Sequence, residues 1–287
     1  MSGRVAGKVA FVTGAARGQG RSHAVRLAAE GADIIAVDLC RDIATVGYPL
    51  ATPEDLAETA RQVEQLDRRI VAREADTRDP VALRAVLAEG VAELGHLDVV
   101  VANAGIAPMS GRPPLQAWSD VVDVNLIGSI NTIQAALPHL GAGASIIATG
   151  SIAAMISTES APNPGGDPGG TGYMWAKRTL AGYVHELGRA AVPRNIRVNA
   201  VHPTNCNTDM LHSRPMYRAF RPDLENPTRE EAEEIFPTMQ GFAVPYVEPG
   251  DISAMVVFLA SDESRYVTGM QMRVDAGAYL KLYDWHV

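Results

Sequence analysis

The sequence predicts an α/β fold, a single doubly wound parallel sheet with helices on both faces. Three observations predict it. Short apolar runs rich in β-formers alternate with helical patterns along the whole chain. The strand-like runs are continuously apolar instead of alternating, as strands buried on both faces are. No Gly/Ser-rich or charged stretch divides the chain, so the 287 residues read as one domain.

The elements follow in order. A strand over 8–12 leads into a Gly-rich turn and a helix over 18–31. The strand Asp33–Asp38 ends in an acid, and Thr52-Pro53 opens a helix to about 67 as cap and first turn. A strand over 69–75 is followed by Asp79-Pro80, which starts a helix to about 94. The strand Leu97–Ala102 precedes a helix over 118–137, and a strand over 144–149 precedes a helix over 172–191. A strand over 196–201, a helix over 249–261 and a strand over 270–274 complete the pattern.

Two segments break this rhythm. Residues 39–51 form an extra connection, read as an insertion near a ligand. Residues 204–247 form a long insertion with six prolines counted from Pro203, several Met and Phe, and one capping box at Thr228–Glu231. Its apolar content predicts a lid over a substrate pocket.

Composition excludes several classes. Hydrophobic residues at 47% and charged residues at 20% exclude wholesale disorder. A net charge of −8 argues against a nucleic-acid-binding surface. Cys40 and Cys206 cannot form a disulfide framework or a thiolate metal site, and no His spacing suits a metal. The uncharged stretch 124–158 is interrupted by Asn, Gln, Pro and Gly, so no spanning helix is expected. Residues 1–8 hold no apolar run of signal-peptide length. The expectation is a soluble, cytoplasmic protein.

The turn Thr13-Gly14-Ala15-Ala16-Arg17-Gly18-Gln19-Gly20 lies between a strand and a helix, the context in which such glycines cradle a pyrophosphate. Asp38, 20 residues beyond Gly18, suits the adenine ribose hydroxyls and repels a 2′-phosphate, so NAD is expected. Arg17 and the nearby Arg41 argue weakly for NADP. Leu39 follows Asp38, and Asp76-Thr77 and Asn103-Ala104-Gly105 end the next strands, where ligands bind in open α/β sheets.

Tyr173 and Lys177 are four apart on one helix face. A phenol titrates near 10, and bringing it to about 7 takes ~4 kcal/mol. Lys177 and an oxidised nicotinamide are expected to supply that, letting Tyr173 take the proton of an alcohol. Ser151 is expected to hold the substrate oxygen, and Asn125 a water linking Lys177 to solvent. His202, with no sequence partner, reads as a core histidine. Trp175 reads as packing, in the core or at a subunit face, and the aromatic tail 279–287 as docking on a neighbouring subunit or near its active site.

Taken together these residues resemble the short-chain dehydrogenases/reductases over essentially the whole chain. Arg197-Val198-Asn199-Ala200-Val201-His202-Pro203, Thr268-Gly269 and Val274-Asp275 complete the landmarks. The resemblance implies a Rossmann fold and an Asn125–Ser151–Tyr173–Lys177 tetrad, with Lys177 on the nicotinamide ribose. It also implies Pro203 and Thr208 near the cofactor, and a homotetramer.

The stretch Gly14–His23, the strand ending Asp38-Leu39-Cys40 and the segment 39–51 are similar to the mycofactocin-coupled subfamily, carveol dehydrogenase-like enzymes among them. That likeness implies a covered NAD reoxidised by a peptide-derived carrier, and a cyclic apolar alcohol or ketone as substrate. An exchangeable-cofactor 3-oxoacyl or hydroxysteroid reductase, or a non-catalytic NAD-binding sensor, are the alternatives. Two departures stand out: Thr204 replaces the usual Gly after Pro203, and 22 residues separate Ser151 from Tyr173, with a surplus over 159–170. That surplus is expected to line the pocket.

Overall fold

The computed structural model describes residues 3–109, 115–155 and 167–283. Its seven strands are β1 (Val9–Thr13), β2 (Asp33–Asp38), β3 (Ile70–Glu74), β4 (Leu97–Ala102), β5 (Leu140–Thr149), β6 (Arg197–Pro203) and β7 (Gln271–Val274). They form one parallel sheet in the order β3-β2-β1-β4-β5-β6-β7. The chain therefore reverses direction of travel at β1, which pairs with both β2 and β4. A crevice opens above the carboxyl ends of strands at such a switch point.

The helices are α1 (Gly18–Ala29), α2 (Pro53–Glu64), α3 (Pro80–Leu94), α4 (Gln116–Val122), α5 (Ser129–Ala136), α6 (Pro168–Ala191), α7 (Arg214–Phe220), α8 (Arg229–Glu233), α9 (Pro249–Ala260) and α10 (Ala278–Tyr283). Alternate strand residues point to opposite faces and build two cores. Phe11, Ile35, Val100 and Ile146 pack with Leu83, Leu126, Ile133 and Leu180 on one face. Val12, Ile34, Val101 and Ile147 pack with Leu27, Leu56, Val256 and Leu259 on the other.

Local chemistry sets several boundaries. Asp79 caps α3 by accepting from Val81 and Ala82, Pro80 follows it, and Gly95 ends the helix at φ 100°. Thr52 and Thr228 each form the reciprocal capping box. The helix expected over 118–137 is three pieces, because a π-helical turn at Asp123–Gly128 separates α4 from α5. α6 starts at Pro168, earlier than the glycines suggested, with Asp167 as its cap. A Cβ on Gly169 would lie 1.8 Å from the Pro108 carbonyl oxygen, so this glycine serves close packing and not a loop. Residues 159–166 of the surplus stretch and 284–287 of the tail lie outside the described residues. Among the described residues no helix is long and apolar enough to cross a membrane.

Candidate active site

A cavity of about 380 Å³ lies over the carboxyl ends of β1, β2, β4 and β5. Gly14, Arg17, Gly18, Gln19, Gly20, Asp38, Leu39, Asp76, Thr77, Asn103, Ala104, Gly105, Ser151, Tyr173, Lys177, Pro203 and Thr208 all line it. Asn125 does not; it is fully buried behind the wall.

The glycine turn is shaped by necessity. Gly14 and Gly18 have φ of 67° and 55°, and a Cβ on Gly20 would lie 1.9 Å from the Gly14 carbonyl oxygen. No side chain caps α1, and its first residues Gly18, Gln19 and Gly20 line the cavity. The Gln19 side-chain oxygen is buried without a partner. Asp38 accepts from the Ala16 amide at 2.9 Å and the Cys40 amide at 3.3 Å. Burial pushes its carboxyl above the usual range, against the pull of those amides and Arg17. These features fit a dinucleotide: a cradle closed to side chains, free helix amides and a carboxylate at the ribose position.

The remaining cofactor candidates divide. Asp76 holds Arg78 at 2.7 Å and Arg41 at 3.6 Å. Arg17 is not a free cation in the turn; it donates to the Pro49 carbonyl at 2.6 Å and pairs with Asp209 at 3.2 Å. Asn103 braces the turn by donating to the Thr13 carbonyl at 3.1 Å, and accepts from Thr149 at 3.2 Å. Thr77 gives its carbonyl to Asn131. Thr208 approaches Gly18, whose Cβ would lie 3.4 Å from its methyl group.

At the other end of the cavity, Ser151 caps a short 3-10 turn, Ile152–Ala154, and hydrogen-bonds the Tyr173 phenol. Lys177 is buried, and its Nζ donates to the Thr149 carbonyl at 2.7 Å, 5.9 Å from the Tyr173 ring centroid. Burial lowers the ammonium to about 8. Burial also pushes the Tyr173 phenol up, and only the Ser151 hydrogen bond opposes this. The expected lowering by Lys177 is therefore not seen in the protein alone.

The Asn125 side chain is engaged with Ile106. Its Oδ1 accepts from the Ile106 amide at 2.8 Å and its Nδ2 donates to the Ile106 carbonyl at 2.9 Å. Both groups brace the loop after β4, and its own carbonyl accepts from Ser129. A Cβ on Gly105 would lie 3.4 Å from that Oδ1 and 3.7 Å from Lys177 Nζ, so Asn125 and Lys177 approach the same glycine.

The two extra segments meet over the cavity. Tyr48 accepts from the Ala107 amide at 3.1 Å, Thr45 donates to Asp120 at 2.5 Å, and Ile43 packs with Ile106 and Val124. Met210, Met216, Phe220 and Met239 add walls from 204–247. Thr204 donates to Gln240 at 2.9 Å, tying that segment to β6. Sequence reasoning missed Tyr48; its one signal is that it is the sole aromatic residue in 39–51. Trp175 is 46% exposed and lies 5.9 Å from Trp118, so it is a surface residue and not core. Cys40 and Cys206 are free and buried, with thiols pushed up to about 12.

The sheet order, glycine cradle and Ser–Tyr–Lys group define a short-chain dehydrogenase/reductase, and the chain belongs to that family. A family model described as Enoyl-(Acyl carrier protein) reductase matches residues 14–279. The chain is 44% identical to (-)-trans-carveol dehydrogenase of Rhodococcus erythropolis, over 97% of this chain and 99% of that protein. It is similar to the crystal structure of carveol dehydrogenase from Mycobacterium avium in complex with NAD, with TM-score 0.90 and 48% identity over 97% and 99% of the two chains. A short chain dehydrogenase from Mycobacterium paratuberculosis bound to NAD follows, with TM-score 0.83 and 40% identity over 96% and 99%.

Proposed function

We propose that this protein is an NAD-dependent alcohol dehydrogenase acting on a cyclic, apolar secondary alcohol or its ketone, of the carveol type. The observation that carries this reading is the convergence of Ser151, Tyr173 and Lys177 on one cavity with the glycine cradle. The NAD complexes of the similar structures support the cofactor. NAD, when bound, supplies the acceptor or donor of hydride.

Gly14, Gly18, Gly20 and the open end of α1 hold the pyrophosphate, and Asp38 holds the adenine ribose. Lys177 holds the nicotinamide ribose. Ser151 donates to the substrate oxygen and fixes it beside the Tyr173 phenol. Tyr173 takes the proton of an alcohol in oxidation and returns it to the carbonyl oxygen in reduction. Because burial makes Tyr173 hold its proton tightly, oxidation runs faster at alkaline pH and reduction does not need it. Met210, Met216, Phe220 and Met239 receive the apolar body of the substrate and keep water out.

In this reading the chain is one domain, 39–51 is a cover over the cofactor and 204–247 is a substrate lid. A covered NAD would be reoxidised in place by a mycofactocin-type carrier, in a cytoplasmic homotetramer. The contact of Arg17 with both segments supports the cover.

The test is to purify the protein without added cofactor, denature it and identify what is released. Near-stoichiometric NAD supports a covered cofactor, and turnover is then followed with an artificial electron acceptor. An empty protein that turns over added NAD points instead to an exchangeable-cofactor enzyme. Tyr173→Phe should abolish turnover while NAD stays bound; retained turnover overturns the reading.

A further inference from the structure

His202 is the penultimate residue of the wholly buried β6 and has no solvent exposure. Its ring lies against the peptide of Ser151: the Ser151 amide is 3.2 Å from Nδ1, and the Ser151 carbonyl is 2.9 Å from the same atom. On the other edge of the ring, Nε2 lies 2.7 Å from Gln271 Oε1 on β7. The Gln271 amide is oriented in turn, because its Nε2 donates to the Ala181 carbonyl of α6 at 3.1 Å. α6 is the helix that carries Tyr173 and Lys177.

Gln271 and the Ser151 carbonyl compete for the ring hydrogen, and the anchoring of the Gln271 amide on Ala181 assigns it to Nε2. Gln271 must present its oxygen to the ring, so His202 carries its hydrogen on Nε2. Nδ1 then accepts from the Ser151 amide, and the Ser151 carbonyl lies beside it without a hydrogen bond. Burial and the nearby cations Lys177 and Arg273 disfavour a second proton on the ring. The space for the ring is cut into the backbone: a Cβ on Gly150 would lie 2.4 Å from Nδ1.

We infer that His202 and Gln271 form a strut between α6 and Ser151, and that His202 is a positioning residue for the Ser151 hydroxyl. Ser151 follows β5 and Tyr173 is on α6, so nothing covalent and local sets their separation. The strut spans that gap through the buried His202 ring and the half-buried Gln271 amide. It rests on the roles given to Ser151 and Tyr173 above.

The test uses the enzyme with its cofactor and a carvone-type ketone. His202→Phe keeps a ring but removes both nitrogens. It should lower kcat between about 10-fold and 100-fold, the range expected when a reacting group is misplaced by a fraction of an ångström to an ångström. KM should change less than about threefold, and bound NAD not at all. His202→Asn, whose Oδ1 can stand where Nδ1 stands but which cannot reach Gln271, should recover part of the loss and no more than that part. In a Ser151→Ala background, His202→Phe should cost nothing further. Gln271→Leu, on the edge strand β7, carries the same test should His202→Phe not fold. Independently of turnover, 15N NMR of histidine-labelled, cofactor-free protein should report His202 as the Nε2–H tautomer.

An unchanged kcat in His202→Phe and Gln271→Leu, where Ser151→Ala leaves only a small residual turnover and Tyr173→Phe abolishes it, overturns the strut alone. So does an undiminished further loss in the Ser151→Ala background, or an Nδ1–H tautomer. Full turnover in both Ser151→Ala and Tyr173→Phe overturns the functional reading first, and the strut with it.

Discussion

The Arg17 guanidinium lies 3.2 Å from the Asp209 carboxylate. It also donates to the Pro49 carbonyl at 2.6 Å, so one side chain of the glycine turn holds both extra segments. The segments touch directly as well, since a Cβ on Gly47 would lie 2.9 Å from the Pro215 ring.

Arg17→Ala should speed NAD release by about tenfold, which is ~1.4 kcal/mol. Most of this comes from the charge-assisted bond to Pro49. Asp209 is mostly exposed and its ion pair is screened by solvent, so Asp209→Asn should change release by less than about fivefold. Stopped-flow displacement of bound cofactor measures both, and an Arg17→Ala rate equal to wild type removes the latch.

Asp38→Asn should relax cofactor choice. The buried carboxylate faces the position of a 2′-phosphate, and Arg17 is engaged elsewhere. Like charges about 4 Å apart at an effective dielectric near 20 repel by ~4 kcal/mol. Removing part of that should move the NADP-to-NAD ratio of kcat/KM by about a hundredfold toward NADP. An unmoved ratio means that another group sets the preference.

Lys177 gives stability a pH dependence. Its folded-state pKa is held down at about 8, below the 10.5 of a free lysine. Between those values the unfolded chain binds more protons than the folded one, so stability rises with pH across that window. The full effect is ~3 kcal/mol. Thermal unfolding of cofactor-free protein from pH 8 to 10.5 should show this rise relative to Lys177→Met. Parallel curves for the two proteins count against it.

Asn125→Ala should destabilise the fold by about 2–4 kcal/mol, because it leaves both polar groups of the Ile106 peptide unpartnered. Denaturant unfolding reads this directly. A loss below about 0.5 kcal/mol means that water replaces the side chain.

Much of the fold was legible because local chemistry and tertiary context agree. β2 and β4 match their apolar runs residue for residue, and α3 is bounded by Asp79, Pro80 and Gly95. Elsewhere distant contacts decided. β5 begins at Leu140, through three exposed residues no apolar pattern marks, because Leu140 pairs with Leu97 across a register shift. The π-helical turn keeps the apolar periodicity on both sides, so the pattern hides it. The candidate site was legible wherever a motif is continuous, as at Thr13–Gly20 and Tyr173–Lys177. Tyr48 and His202 were not, since their partners are 59, 51 and 69 residues away.

The methionines of the cavity have a consequence for what the site can tell apart. Met210, Met216 and Met239 are unbranched and deformable, so the wall they build yields to changes of outline. It cannot yield to an added hydroxyl, for thioethers offer poor hydrogen bonds. Such a wall sorts guests by polarity before shape. It also exposes the enzyme to oxidants, because a sulfoxide at any of these positions would turn an oily surface into one that welcomes water.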